Sequence, residues 1–355
     1  MTGDAQVALN FKHNMPRYEA IGVDPNDLRA LMTQIPAWKD WCRVWSEAGA
    51  RHEALAKEAQ AKSRHVTAAE AFIRASAYYH VGKHLFANYP DEFKQAHDSM
   101  LRCYTAGAAG LEPKLERVEI PYKGVKMVAW LHKPRSGNKP PVAVILPGLD
   151  ACKEELHAWA KSFVDRGMAA LTLDGPGQGE TSFILPTTHE WGPVLGAVID
   201  ALGKRTDLDG SRVGVVGQSL GAIYAPLAAA GEPRLKACVS NCGPYDFGKI
   251  LPSMPTASQE VFRVRSHAKS MQDAHQIAKS ITLENVAERI RCPLLVVFGA
   301  GDLLIPPSDG ERLAREAKGP TEFVLYEEGN HVCFNISYKF RPLTADWMAE
   351  QLGVS

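Results

Sequence analysis

Between Pro25 and about Gly110, apolar residues recur three and four positions apart, the spacing that lines one face of a helix. Leu28, Leu31, Met32 and Ile35 form one such row, Trp38, Trp41, Cys42 and Trp45 a second, and Ala68, Ala71, Phe72, Ala75 and Tyr79 a third. Alanine is abundant and β-branched runs are missing, so the pattern predicts helices over roughly 26–34, 37–61, 67–87 and 90–108. Asp24 ahead of Pro25 reads as a helix start, and Thr67 with Glu70 three residues on reads as a capping box. The three tryptophans at helical spacing read as packing core rather than as a cofactor box.

Past Leu111-Glu112-Pro113 the pattern changes to short β-rich runs separated by glycine turns and helical stretches. The runs are Leu115–Tyr122, Val125–His132, Val142–Leu146, Ala169–Leu173, Val213–Val216, Ala237–Ser240, Leu294–Phe298 and Phe323–Tyr326. The later ones are almost unbroken apolar segments, as strands buried on both faces are. Their alternation with helices predicts an α/β fold, a mostly parallel sheet covered on both sides. The first two runs, joined by Lys123-Gly124, predict an antiparallel hairpin at its edge. Two regions follow: a helical one over 1–112 and an α/β one over 113–355. The stretch between Asn241 and Cys292 is too long for a plain crossover and carries Pro244, Pro252 and Pro255. Residues 242–291 are therefore expected to form an insertion above the carboxyl edge of the sheet, where α/β sites lie.

The chemistry is concentrated at three strand ends. Val213–Val216 runs straight into Gly217-Gln218-Ser219-Leu220-Gly221 and then an alanine-rich stretch, a strand, Gly-x-Ser-x-Gly and a helix in succession. Such a turn is tight and strained, and it pushes the serine hydroxyl into the open. A hydroxyl is a weak nucleophile, so it needs a histidine base and an acid that orients the imidazole. Both follow in the expected order: Asp302 just past the run Leu294–Phe298, and His331 past Phe323–Tyr326. An oxyanion needs two backbone donors, for which the candidates are the N–H of Leu220 and that of Leu149 in Pro147-Gly148-Leu149-Asp150. Glu154 and Glu155 are expected in the first turn of the next helix, where negative charge is favourable. Asp174-Gly175-Pro176-Gly177-Gln178-Gly179-Glu180 lacks either phosphate-loop spacing and reads as a structural turn. Tyr224 is read as either core or pocket wall.

Composition narrows the function classes. Lys plus Arg (40) equals Asp plus Glu (40), which gives no global pull toward nucleic acid or anionic membrane and suits a small-molecule substrate. Seven scattered cysteines without a CxxC pair read as reduced thiols and not as a metal site. Neither a metal nor another cofactor is expected. The sequence from Met1 to Gln6 lacks a secretory pattern, and no apolar run approaches a membrane span, so the cytoplasm is the expected compartment.

Over roughly residues 113 to 353 these motifs resemble the α/β-hydrolase superfamily. More narrowly, the chain resembles the 2,6-dihydroxypseudooxynicotine hydrolase group. That likeness rests on the helical N-terminal region, on Pro147 through Glu155, on Asp174 through Gly179, on His331-Val332-Cys333-Phe334-Asn335, and on the spacing of Ser219, Asp302 and His331. The resemblance implies a Ser219, Asp302 and His331 triad, N-terminal helices that join the insertion in covering the pocket, and a homodimer. Some members of the group hydrolyse a carbon–carbon bond beside a ketone with the help of an extra acid in the segment corresponding to Asn241–Ile250. This chain has no glutamate there, and Asp246 is the segment's one acid. Asp246, Tyr224 and Tyr245 are the candidate substrate contacts. Three readings stay open: a carbon–carbon hydrolase, a carboxylesterase or amidase, and a non-catalytic binding protein on a hydrolase scaffold.

Overall fold

Five α-helices and one short 3-10 turn at Trp38–Asp40 build the chain as far as Gly110 among the described residues: α1 (Ala5–Ala20), α2 (Pro25–Gln34), α3 (Trp41–Ala61), α4 (His65–Lys83) and α5 (Pro90–Gly110). The computed structural model describes residues 4–135 and 139–354. It divides into two units, one ending at Glu116 and one beginning at Arg117. In the first unit α4 packs against both α3 and α5. The predicted tryptophan row is its core. Trp41 and Trp45 are fully buried, and Trp41 packs 5.0 Å from Phe11 and 5.2 Å from Trp38, ring centre to ring centre. Trp41 Nε1 also donates to Val81 O at 2.8 Å, so the indole is satisfied as well as packed.

One helix was not expected, and another has both of its ends shifted. α1 was not foreseen, because its inward residues include Asn10 and Arg17, which blur the apolar period while being buried with partners such as Tyr18 and His84. α4 starts at His65 with no side-chain cap, so Thr67 and Glu70 lie inside the helix and form no capping box. It ends at Lys83, short of the predicted end, and Leu85 adopts a left-handed φ of 58° that no helix accommodates.

Glu53 of α3 ties the three long helices together. Its Oε2 accepts from Tyr79 of α4 at 2.9 Å and Arg102 of α5 at 2.8 Å, while Lys57 pairs with the same carboxylate at 2.7 Å. Burial alone would raise its pKa, but bonds from Arg102, Lys57 and Tyr79 bring it down to about 2. A depressed carboxylate stabilises the fold at any pH above its unfolded value and loses that contribution as pH falls through the folded one. We therefore expect the first unit to lose about 1–2 kcal/mol between pH 4.5 and 2, allowing for the exposed partners, and Glu53→Gln to flatten this dependence. Urea melts followed by tryptophan fluorescence across that range measure it.

The second unit is built on an eight-stranded sheet in the order β1-β2-β4-β3-β5-β6-β7-β8. The strands are β1 (Glu116–Tyr122), β2 (Val125–His132), β3 (Pro141–Leu146), β4 (Ala169–Asp174), β5 (Asp209–Gln218), β6 (Ala237–Asn241), β7 (Leu294–Gly299) and β8 (Thr321–Tyr326). From β4 through β8 neighbouring pairs are parallel, whereas β2 runs antiparallel to β4. Lys123 and Gly124 both take positive φ, as the tight turn between β1 and β2 requires. β3, β4, β6 and β7 are buried at every residue, the reason they read as continuous apolar runs. β8 departs from that reading: it is an edge strand and is partly exposed throughout. Between β6 and β7 the chain forms short helices at Phe247–Ile250, Thr256–Arg265 and Met271–Ala278.

Candidate active site

The parallel order brings the ends of β5, β6 and β7 side by side, so residues distant in sequence meet at one sheet edge. Ser219 follows β5 directly and adopts φ 53°, a left-handed conformation costly for a residue with a Cβ. The turn is over-determined. A Cβ on Gly217 would lie 2.0 Å from Gly221 O, and one on Gly221 would lie 2.5 Å from both Leu146 O and Pro147 O. Only glycine at both positions lets the helix Gly221–Gly231 start this close to β3.

His331 Nε2 lies 2.9 Å from Ser219 Oγ, and His331 Nδ1 lies 2.7 Å from Asp302 Oδ2. An ionised carboxylate can only accept, so Nδ1 carries the hydrogen and Nε2 presents its lone pair to the serine hydroxyl. Asp302 is held by its own loop: Oδ1 accepts from Leu304 N at 2.9 Å and Ile305 N at 3.0 Å. Burial would raise the Asp302 pKa, but the His331 charge, its hydrogen bond and those two amides outweigh it, and the group sits below its ordinary value. It therefore remains an anion facing the imidazole at neutral pH.

Asn241, at the end of β6, links the serine turn to the histidine loop. Its carbonyl accepts from Ser219 N at 2.9 Å, and its Nδ2 donates to Val332 O at 3.2 Å. Val332 and Cys333 follow the histidine at φ 62° and 59°, two consecutive left-handed residues, the first of them β-branched. Nothing in the sequence announces that bend.

The segment after β3 approaches the serine closely enough that a Cβ on Gly148 would lie 3.1 Å from Ser219 Cβ and 3.5 Å from its Oγ. Among the described residues, neither the Leu149 nor the Leu220 N–H donates to another protein group. Behind this segment sits a charge cluster that sequence reasoning missed. Lys153 is wholly buried, and its Nζ lies 2.8 Å from Glu154, 2.9 Å from Asp174 and 2.5 Å from Glu180. Burial alone would favour the neutral amine, but the three carboxylates hold its pKa well above the ordinary value. Glu154 and Glu155 accordingly precede the helix, which begins at His157, instead of forming its first turn. Glu154 also accepts from Trp130 Nε1 at 3.0 Å. The glycine-rich turn after β4 serves the same segment, for Gln178 Nε2 donates to Pro147 O at 2.6 Å.

Each candidate substrate contact has a partner inside the protein. Tyr224 is buried, stacks on Trp191 with ring centres 4.4 Å apart, and shares a 2.7 Å hydrogen bond with Thr187 Oγ1. The Tyr245 hydroxyl lies 3.1 Å from Leu283 O and also bonds the Glu316 carboxylate, with the Arg312 guanidinium over its ring. In both tyrosines the hydroxyl is engaged by a protein partner. Asp246 caps the helix Phe247–Ile250 and pairs with Lys249 Nζ at 3.1 Å. No hydrogen bond joins any of the three to the Ser219, His331 or Asp302 side chains among the described residues. Likewise no group of three or more metal-ligating side chains occurs among them, and no helix is long and apolar enough to cross a membrane.

A mostly parallel sheet with helices on both faces, entered by a serine on a strand-to-helix turn, defines an α/β hydrolase. Within that class the chain belongs to the FrsA-like esterase family, whose sequence profile matches residues 36–319. It is 28% identical over 316 residues to the 2,6-dihydropseudooxynicotine hydrolase of Paenarthrobacter nicotinovorans, covering 88% of this chain and 84% of that one. It is 34% identical over 233 residues to the 20-hydroxy-prefusarin hydrolase FUS2 of Gibberella moniliformis, covering 61% of this chain and 55% of that one. This chain thus spans about half of that fungal relative. The crystal structure of a 2,6-dihydroxy-pseudo-oxynicotine hydrolase superposes with a TM-score of 0.87 over 96% of both chains at 26% identity. AbyA5, with a TM-score of 0.74 and 20% identity, shares the fold.

Proposed function

We propose that the protein is a serine-dependent hydrolase of a small organic substrate, working through an acyl-enzyme and cleaving a carbon–carbon bond beside a ketone. The observation behind the mechanism is the chain of short contacts from Asp302 through His331 to Ser219 Oγ. Ser219 Oγ attacks the carbonyl carbon while His331 Nε2 takes its proton, and the Leu149 and Leu220 amides receive the oxyanion. Collapse expels the leaving group, which His331 protonates. Water, deprotonated in turn by His331, then releases the acid from Ser219. A carbon leaving group needs a second carbonyl or an aromatic ring to delocalise its charge, so the substrate is a β-diketone-like or aryl ketone compound. The resemblance to the 2,6-dihydroxypseudooxynicotine hydrolase group supports this choice of bond.

One observation favours a second reading, a carboxylesterase or amidase. Asp246, the one acid in Asn241–Ile250, is engaged as a helix cap and paired with Lys249. One assay tests the nucleophile that both readings share, and a second separates them. A fluorophosphonate probe should label Ser219, as peptide mass spectrometry reads directly. In a panel of p-nitrophenyl esters, anilides, β-diketones and aryl ketones, the carbon–carbon reading expects a diketone or aryl ketone to have the highest kcat/KM. Ester turnover with no ketone cleavage would leave the esterase. The seven free cysteines support a cytoplasmic setting, and the family resemblance supports a homodimer, which light scattering on the purified protein measures.

A further inference from the structure

The segment Pro147–Glu155, which carries the Leu149 amide, is fastened from several sides. Gln178 holds its near end at Pro147 O, and Asp174 holds its far end through Lys153 N at 2.8 Å and Nζ at 2.9 Å. A further attachment comes from the insertion. Arg265, the last residue of the helix Thr256–Arg265, is only 5% exposed, and its Nη1 donates to Ala151 O at 3.1 Å and to Gly177 O at 3.4 Å. Its own carbonyl accepts from Thr187 N at 3.0 Å. Ala151 lies two residues past Leu149, and Gly177 directly precedes Gln178. One guanidinium therefore grips both the oxyanion segment and the turn that holds that segment's other end. Burial brings the Arg265 pKa below its ordinary value, and Asp150 and Asp174 offset only part of that, so what fastens the side chain here is its pair of hydrogen bonds to Ala151 O and Gly177 O.

We propose that Arg265 is a positioning residue that couples the seat of the 242–291 insertion to the placement of the Leu149 N–H over the Ser219 carbonyl site. The inference rests on the serine-hydrolase reading above. A donor aimed at a developing oxyanion acts in the transition state more than in the bound substrate, so a slackened segment lowers kcat and leaves KM nearly alone. The test compares the parent with Arg265→Met and Arg265→Lys on p-nitrophenyl acetate, each rate divided by the number of sites labelled to completion with fluorophosphonate. In Arg265→Met we expect kcat per labelled site to fall about 10- to 100-fold, with KM changed less than about threefold. Affinity for a trifluoromethyl ketone, which forms an oxyanion on the serine, should fall in step with kcat/KM, while affinity for the product carboxylate stays level. Arg265→Lys keeps the charge but loses the planar fork, and should fall between parent and Arg265→Met. If Arg265→Met does not fold, the lysine variant decides by the same ratio. Rates per site within twofold of the parent, or an equal loss of trifluoromethyl ketone and carboxylate affinity, would overturn the proposal. A parent left unlabelled at Ser219 would instead overturn the reading on which it rests.

Discussion

Ser219→Ala should leave a folded protein whose kcat/KM is at most about a thousandth of the parent's. The change removes the attacking oxygen and nothing that the fold requires, because the turn is fixed by Gly217, Gly221 and the Ser219 N to Asn241 O bond, none of which uses the hydroxyl. Alanine carries the same Cβ into the φ of 53°, so it neither relieves nor adds much strain. The melting temperature should therefore move by only a degree or two while turnover is lost, a combination that separates loss of chemistry from loss of structure. Residual activity would come from the Leu149 and Leu220 donors acting on water attack. Retention of more than about a thousandth of the parent kcat/KM in a preparation shown free of wild-type protein would contradict the assignment of Ser219 as nucleophile.

How much of this was legible in the sequence depends on whether the signal is local. β3 and β7 announce themselves because burial on both faces forces an unbroken apolar run, and Gly-x-Ser-x-Gly announces the serine turn because only glycine fits two contacts at 2.0 and 2.5 Å. Asp302 and His331 were legible by their order after successive strands, since a parallel sheet places consecutive strand ends at one edge. The supports of the site were not legible. Lys153 stands beside Glu154 and Glu155, the two acids expected at a helix start, and has no local pattern of its own, yet it is wholly buried because carboxylates from β4 and the turn beyond it converge on its amine. Arg265 reaches a carbonyl 114 positions away, a pairing that no local pattern encodes. α1 was hidden for a related reason: polar Asn10 and Arg17 occupy its inner face, so the helical period exists in burial but not in hydrophobicity. The partners of Tyr224, which follows the serine turn, and of Tyr245, in the segment Asn241–Ile250, were likewise not legible, since Thr187 and Glu316 meet their hydroxyls from distant parts of the sequence.

The Asp302 side chain has no oxygen to spare, since each of its oxygens already has a partner. Asp302→Asn should reduce kcat about 10⁴-fold, even though it changes one oxygen to nitrogen. The two amides of Leu304 and Ile305 already claim Oδ1, so an asparagine must place its carbonyl oxygen there and its NH₂ where Oδ2 now meets His331. That NH₂ can only donate. His331 Nδ1 must then accept, which moves the ring hydrogen to Nε2 and points it at Ser219 Oγ, leaving no lone pair to take the serine proton. Fluorophosphonate labelling of Ser219 should slow in proportion to kcat, and ¹⁵N chemical shifts of the imidazole should report protonated Nε2 in the variant and protonated Nδ1 in the parent. Acid stability supplies an independent sign. In the parent the depressed Asp302 carboxylate stabilises the fold above its unfolded pKa and loses that contribution as pH falls through its lower folded value, a dependence that asparagine removes. A variant with turnover within tenfold of the parent, or with Nδ1 still protonated, would show that Asp302 does not set the imidazole's tautomer.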